Sequence, residues 1–165
     1  MSQGQDIIMK FQENQQNNRF MLVALEEARK AAKKNEVPVG AVVVYKDKII
    51  ARAHNLREKK QSFYAHAEFL AMIKAQKKLK SWRLSDCDIY VTMEPCPMCA
   101  GAMIQARIRN LYYGVDDNKT GAVTSVLNLL DYKFNHKITY ENNMMSKESE
   151  ELIKKFFAKI RGQKK

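Results

Sequence analysis

The sequence contains little that would break, cross-link or anchor a chain. Its 165 residues include three prolines, six glycines and three cysteines, and no apolar run approaches the roughly 18–20 residues that a membrane-spanning helix needs. So little proline and glycine excludes collagen-like and linker-dominated chains, and three cysteines cannot all pair as disulfides. The N-terminus lacks the basic and then apolar segments of a signal peptide, so we expect a cytoplasmic protein that does not enter a membrane.

Acidic residues are also scarce relative to basic ones. The chain has 18 acidic and 29 basic residues, a formal net charge of +11, and its hydrophobic content of 45% is too high for a disordered chain. This charge favours a polyanionic partner, with nucleic acid considered first and an anionic membrane second. The excess is concentrated in residues 52–83, which contain nine basic and two acidic side chains.

Hydrophobic periodicity predicts a single α/β domain. Residues 1–18 are polar and rich in Gln and Asn, which predicts a frayed lead-in before a domain of residues 19–165. Helices are predicted over residues 19–34, 66–80, 97–107, 122–130 and about 147–160, and strands over 41–45, 49–53, 88–92, 109–115 and 137–140. A hairpin followed by alternating helices and strands predicts a mixed five-stranded sheet with helices on both faces.

Two cysteines and one histidine have the pattern of metal ligands. Cys96 and Cys99 are three residues apart at a strand-to-helix junction, so both sulfurs would face one side of a first helical turn. A C-x-x-C pair alone is weak evidence, because redox pairs and buried cysteines share it. No second C-x-x-C or H-x₃₋₅-H completes a four-ligand structural site. Adding His66 gives three ligands and an open fourth position, which is the composition of a catalytic zinc site.

Glu68 is a candidate for the acid–base residue of such a site, moving a proton from water to a substrate nitrogen. Residues i and i+2 do not share a helix face, so His66 must lie at the helix start and Glu68 in the first turn. Taken singly, His66 is more often a cap or core residue, and Glu68 a partner of the helix dipole. Together with the cysteines they match the signature H-x-E…P-C-x-x-C.

From about residue 21 to residue 165, the sequence resembles the zinc-dependent nucleoside deaminases, and most closely the bacterial tRNA-specific adenosine deaminases. HAE and PCPMC define the superfamily, whereas EVPVGAV, EPCPMCAGAMI and the KTGA segment at Lys119 are similar to the tRNA enzymes. The resemblance implies a three-layer α/β/α sandwich of the cytidine deaminase type and a homodimer with one zinc ion per subunit. It also implies hydrolytic deamination of adenosine to inosine at the wobble position (34) of a tRNA anticodon.

The resemblance also assigns roles to residues of this chain. His66, Cys96 and Cys99 would hold zinc, and Glu68 would shuttle the proton. Asn55 resembles the asparagine that hydrogen-bonds the target nucleoside, although a turn residue is the alternative interpretation.

Three further residues would contact the substrate. Val37 and Val39 resemble the apolar wall of a base pocket, or are strand-entry core. Phe157, like its neighbour Phe156, falls where the family places aromatic side chains near RNA, although aromatic residues at helical spacing more often belong to a core. The chain also departs from many relatives by having Phe63 and Tyr64 where they have Pro-Thr.

Two other functions share these motifs. One is a deaminase of small molecules, such as guanine or a cytosine nucleoside, against which the charge of +11 argues. The other is a zinc-stabilised RNA-binding module without catalysis. Glu68 distinguishes this alternative, because a structural site has no use for an acid–base residue beside an open position.

Overall fold

The fold is described by a computed structural model covering residues 2–163. In chain order, its elements are α1 (Gln3–Lys33), β1 (Gly40–Tyr45), β2 (Lys48–His54), α2 (Arg57–Lys60), α3 (Ala67–Leu79), β3 (Cys87–Met93), α4 (Pro97–Gln105), β4 (Asn110–Val115), β5 (Thr139–Glu141) and α5 (Ser146–Gln163). A short 3₁₀ turn spans Leu129–Asp131. Within residues 2–163, every helix is too short or too polar to cross a lipid bilayer.

The five strands form one mixed sheet in the order β2-β1-β3-β4-β5. β1 pairs antiparallel with both β2 and β3, whereas β3, β4 and β5 run parallel to one another. As a result, β2, β3 and β4 all end at the same edge of the sheet, where side chains that follow them can meet.

The sheet is buried on both faces, which confirms the predicted sandwich. Successive residues of β1 point to opposite sides: Ala41 and Val43 join the core beneath α3 and α4, whereas Val42 and Val44 join the core beneath α1. α5 packs on the same side as α1 and contacts β4. The sheet is therefore the middle layer of an α/β/α arrangement.

Two sequence-based predictions of secondary structure are wrong. The expected lead-in is helical from residue 3 and continues into the helix predicted from residue 19, and the Ser2 hydroxyl caps its start by accepting from the Gln5 N–H. No helix forms over residues 122–130, where the chain makes turns and one 3₁₀ turn. There, the N–H groups of residues 123–125 donate to the distant carboxylate of Glu94 instead of to carbonyls of their own segment. The predicted final helix extends to Gln163, and residues 164 and 165 lie outside the described residues.

Candidate active site

The candidate metal ligands lie at the starts of two helices on the same face of the sheet. His66 is the extended residue before α3, and Cys96 is the extended residue before α4, whose first position is proline. Proline suits this position because it has no N–H to leave unpaired there. Cys99 follows in the first turn of α4. Both helices therefore direct their partly positive N-terminal ends at the cluster, which favours anionic sulfur.

Within the described residues, one His/Cys cluster has the geometry to hold a metal ion: His66, Cys96 and Cys99, whose donor atoms lie within 4.8 Å of one another. His66 Nδ1 is 3.6 Å from Cys96 Sγ and 3.5 Å from Cys99 Sγ. The cluster thus presents one nitrogen and two sulfurs to a common point.

The two thiols differ in acidity. Hydrogen bonds from Cys99 and His66 lower the pKa of Cys96 to about 4. Cys99, which is buried and donates to Cys96, has its pKa raised above its usual range. Cys96 therefore favours the anionic form that binds a metal. A cation bound at the cluster would also favour loss of the Cys99 proton.

Glu68 lies in the first turn of α3 and is 4% exposed. Burial raises the pKa of its carboxyl to about 7, although the nearby His66 opposes the shift. A carboxyl that titrates near neutral pH can both accept and return a proton. Glu68 therefore has the acidity that a general acid–base residue needs.

A cavity of about 140 Å³ opens onto this group at the sheet edge. Its lining includes six of the eight sequence-predicted site residues: Val37, Val39, Asn55, His66, Glu68 and Cys96. Cys99 lies behind them in the cluster and is buried. Phe157 is elsewhere: it is 42% exposed and lines a neighbouring groove with Lys119 and Arg161.

Asn55 follows β2 and uses half of its hydrogen-bonding capacity within the protein. Its side-chain nitrogen donates to the Val37 carbonyl at 3.2 Å, and its oxygen accepts from the Arg57 N–H at 3.1 Å. A primary amide has two donor hydrogens and two acceptor positions. One donor and one acceptor therefore remain for a molecule in the cavity, so the turn and the binding interpretation are compatible.

Two buried carboxylates at the site are missing from the sequence-based prediction. Glu36 accepts from the N–H groups of Glu58 and Lys59 at 2.9 Å each and so holds the start of α2 beside the cavity. Glu94 lines the cavity and binds the segment that follows β4. An acidic residue at the end of an apolar strand, just before P-C, is the one sequence signal that marks Glu94.

The class of protein follows from comparison with known families. Residues 14–161 match the family described as MafB19-like deaminase, which is most of the chain. The chain belongs to this deaminase family. A guanine deaminase from Nitrosomonas europaea shares its fold, with a TM-score of 0.75 at 24% identity over 86% of this chain and 84% of the other.

The most informative relatives are tRNA enzymes. The chain is 44% identical over 151 residues to the tRNA-specific adenosine deaminase of Bacillus subtilis, covering 91% of this chain and 94% of the relative. It is 43% identical to the enzyme of the same name from Aquifex aeolicus, covering 86% and 94%. A solved structure from a study of tRNA:A34 deaminases superposes with a TM-score of 0.79 at 41% identity, covering 81% of this chain and 98% of the other. Within the deaminases, the chain therefore groups with the tRNA-specific adenosine deaminases, as the sequence motifs predict.

Proposed function

We propose that this protein deaminates adenosine to inosine at the wobble position (34) of a tRNA anticodon, in the cytoplasm, as a homodimer with one zinc ion per subunit. One observation carries the proposal. A buried carboxylate, Glu68, shares a cavity with a His/Cys/Cys cluster in a chain that matches tRNA-specific adenosine deaminases along almost their whole length.

The donor set fits zinc. With Zn–N of about 2.0 Å and Zn–S of about 2.3 Å, a tetrahedral site has N···S edges of about 3.5 Å. The distances from His66 Nδ1 to the two sulfurs, 3.6 and 3.5 Å, agree with that value. His66, Cys96 and Cys99 would therefore hold the ion. When bound, zinc would supply Lewis-acid activation of the attacking water, whose pKa falls to about 7 in such sites.

Glu68 would transfer the protons of the reaction. Water attacks C6 of adenine, the C6–N6 bond breaks, and the products are inosine and ammonia. Glu68 would accept a proton from the water, deliver it to N1, and later assist departure of the amino group. Its pKa of about 7 suits a residue that takes and gives a proton in one cycle.

The apolar and amide groups of the cavity would orient the base. Val37 and Val39 supply an apolar wall, and the unused donor and acceptor of Asn55 can meet the edge of a flipped base. Arg57 also lines the cavity and supplies positive charge at its mouth.

The groove beside the cavity suits the rest of an anticodon loop. Lys119, Lys154, Phe157 and Arg161 line it, so it combines cationic groups for phosphates with an exposed ring for stacking. Phe156, in contrast, is buried against the body of the protein. This arrangement supports Phe157, and not Phe156, as the aromatic residue that contacts RNA.

An apolar surface on α3 and α4 supports the homodimer. It is a shallow cavity of about 410 Å³ whose lining includes Phe69, Met72, Ile73, Trp82, Ala102 and Ala106. Met72 and Ala106 are buried at its floor, Phe69, Ile73 and Ala102 are half-buried, and Trp82 is 52% exposed. Accessible apolar surface of this kind marks interaction sites. Because the same helices begin at the His/Cys cluster, a second subunit here would lie close to the cavity, and a tRNA would contact both subunits.

Incubation with a tRNA anticodon stem–loop carrying adenosine at position 34 tests the function. We expect inosine from the wild-type protein, and about a 10³-fold slower reaction from Glu68→Ala with stoichiometric zinc and unchanged RNA affinity. Free guanine and cytidine serve as competing substrates. Xanthine or uridine without inosine would support a small-molecule deaminase, and binding of the stem–loop without any product would support a non-catalytic RNA-binding module.

A further inference from the structure

Glu94 is a buried carboxylate to which the proposed chemistry gives no role. It follows β3 directly, two residues before Cys96, and is 3% exposed. Burying a charge is costly unless hydrogen bonds replace its water. The partners of Glu94 therefore indicate what this residue does.

All five of its donors come from one segment, residues 117–125. Glu94 Oε2 accepts from the N–H groups of Val123, Thr124 and Ser125 at 3.0, 2.9 and 3.1 Å. Glu94 Oε1 accepts from the Asp117 N–H at 3.1 Å and from the Ser125 hydroxyl. A carboxylate offers about four lone-pair positions. None is left for a substrate proton, so Glu94 does not act as an acid or base.

Regular secondary structure does not hold this segment. Residues 116–128 form no helix or strand and connect β4 to a single 3₁₀ turn. The segment instead wraps around the carboxylate, because a Cβ on Gly121 would lie 2.3 Å from Glu94 Cδ. Only glycine fits at that approach. The Ala122 N–H donates to the Pro95 carbonyl, and the Glu94 carboxylate accepts from the three N–H groups that follow it.

The same segment forms a wall of the candidate active site. Asp117 and Thr120 line the cavity, and Lys119 lines the adjacent groove. The Asp117 carboxylate accepts from the Lys119 N–H at 3.0 Å and the Thr120 hydroxyl at 2.6 Å. The wall is therefore shaped internally by Asp117 and fixed to β3 by Glu94.

We propose that Glu94 is a positioning residue that holds residues 117–125 as the wall against which the substrate base and its flanking phosphates bind. This inference rests on the proposed function for the identity of the substrate. It separates two roles in the string EPCPMC: the cysteines supply metal ligands, and the glutamate ties the substrate wall to the strand that carries them.

Amide hydrogen exchange of residues 117–125 tests the hold of Glu94 on the segment without reference to activity. In Glu94→Gln, a side-chain N–H₂ would face N–H donors where a carboxylate oxygen accepts from them in the wild type. We therefore expect exchange at residues 123–125, whose N–H groups donate to Glu94, to be about ten-fold faster or more. Asp88→Asn is the matched control, since Asp88 lies on the same strand and its carboxylate bonds Arg109 and Asn110. The control should leave exchange in this segment unchanged, and unchanged exchange in Glu94→Gln would overturn the proposal.

Kinetics with the stem–loop test the consequence for binding. A wall that contacts substrate and transition state alike affects binding uniformly, so Glu94→Gln should raise KM about ten-fold and change kcat by less than about three-fold. Ser125→Ala, which removes one of the five bonds, should shift KM in the same direction by less, and keeps the test available if Glu94→Gln fails to fold.

Two kinetic outcomes contradict the proposal. An unchanged KM despite faster exchange would show that the segment is not a substrate wall. A parallel loss of zinc and kcat would show that Glu94 acts through the metal-binding turn. Absence of inosine from the wild-type protein would instead defeat the proposed function, and the exchange measurement would still report whether Glu94 holds the segment.

Discussion

At the scale of single residues, surroundings distinguish carboxylates that look alike in the sequence. Burial raises the pKa of Glu68 to about 7. Glu94 is also desolvated, but hydrogen bonds from Ser125 and the backbone outweigh that effect and lower its pKa. Glu27 is desolvated as well, and its bonds to Lys30, His54 and Arg52 lower its pKa to about 2. Of these three carboxyl groups, Glu68 alone has a pKa near neutral pH.

The cysteines provide a matched test of the metal site. Cys96→Ser should reduce bound zinc well below one ion per chain if the proposed ligand set is correct, because it removes the thiol whose pKa is already lowered. Cys87→Ser should keep full zinc, since Cys87 lies at the start of β3 and burial raises its pKa to about 11. Elemental analysis of the purified variants measures both. Equal zinc in the two would remove Cys96 from the ligand set.

Glu27 predicts a pH dependence of stability. Its folded pKa of about 2 lies below the ordinary 4.5, so its ionised form stabilises the fold above about pH 4.5, and that contribution disappears as the pH falls toward 2. Glu27→Gln should lower the free energy of unfolding at neutral pH by about 3 kcal/mol, and the difference from wild type should narrow below pH 4.5. Urea unfolding at several pH values measures it.

The exposed neighbour Glu26 is the control for that variant. Glu26 also bonds Arg52, but its side chain is 57% exposed, and exposed ion pairs contribute little. Glu26→Gln should change the free energy of unfolding by less than about 0.5 kcal/mol. An equal loss in both variants would mean that burial does not set the strength of this contact.

At the scale of elements, the sequence correctly predicts the helices and strands that have a hydrophobic periodicity of their own. The strands of the hairpin and the start of α3 have their own hydrophobic patterns, so the prediction is close to the observed bounds. The helix predicted over residues 122–130 is wrong because Glu94, about 30 residues earlier, takes up its N–H groups. The wall formed by residues 117–125 depends on the same long-range contact, so the sequence alone does not predict it.

α1 divides into a free part and a packed part. Residues 3–15 are exposed, whereas Phe20, Met21 and Ala24 are buried against the sheet. Deleting residues 2–12 should change the free energy of unfolding by less than about 0.5 kcal/mol, whereas Met21→Ala should cost about 3 kcal/mol by leaving a cavity. Chemical unfolding of both variants measures the contrast. A deletion as costly as Met21→Ala would show that the first turns stabilise the domain.

At the scale of the whole molecule, the exposed apolar surface on α3 and α4 predicts the state of assembly. Trp82 lines this surface and is 52% exposed, so Trp82→Glu would replace its largest exposed apolar side chain with a charged one. Trp82→Glu should shift the mass measured by light scattering from two chains to one. Ile7→Glu, a similar change on the exposed part of α1, should leave two chains. A wild-type protein of one-chain mass would contradict the homodimer.

The strand order also has a consequence for synthesis of the chain. β1 can pair with β2 once both have been synthesised. The opposite edge of β1 pairs with β3, which begins about 30 residues after β2 ends, so it stays unpaired until β3 is available. During that interval the Val42–Val44 run presents unpaired N–H and C=O groups on an apolar strand, which is a template for aggregation. The chain is therefore most prone to aggregate before β3 is available to cover this edge of β1.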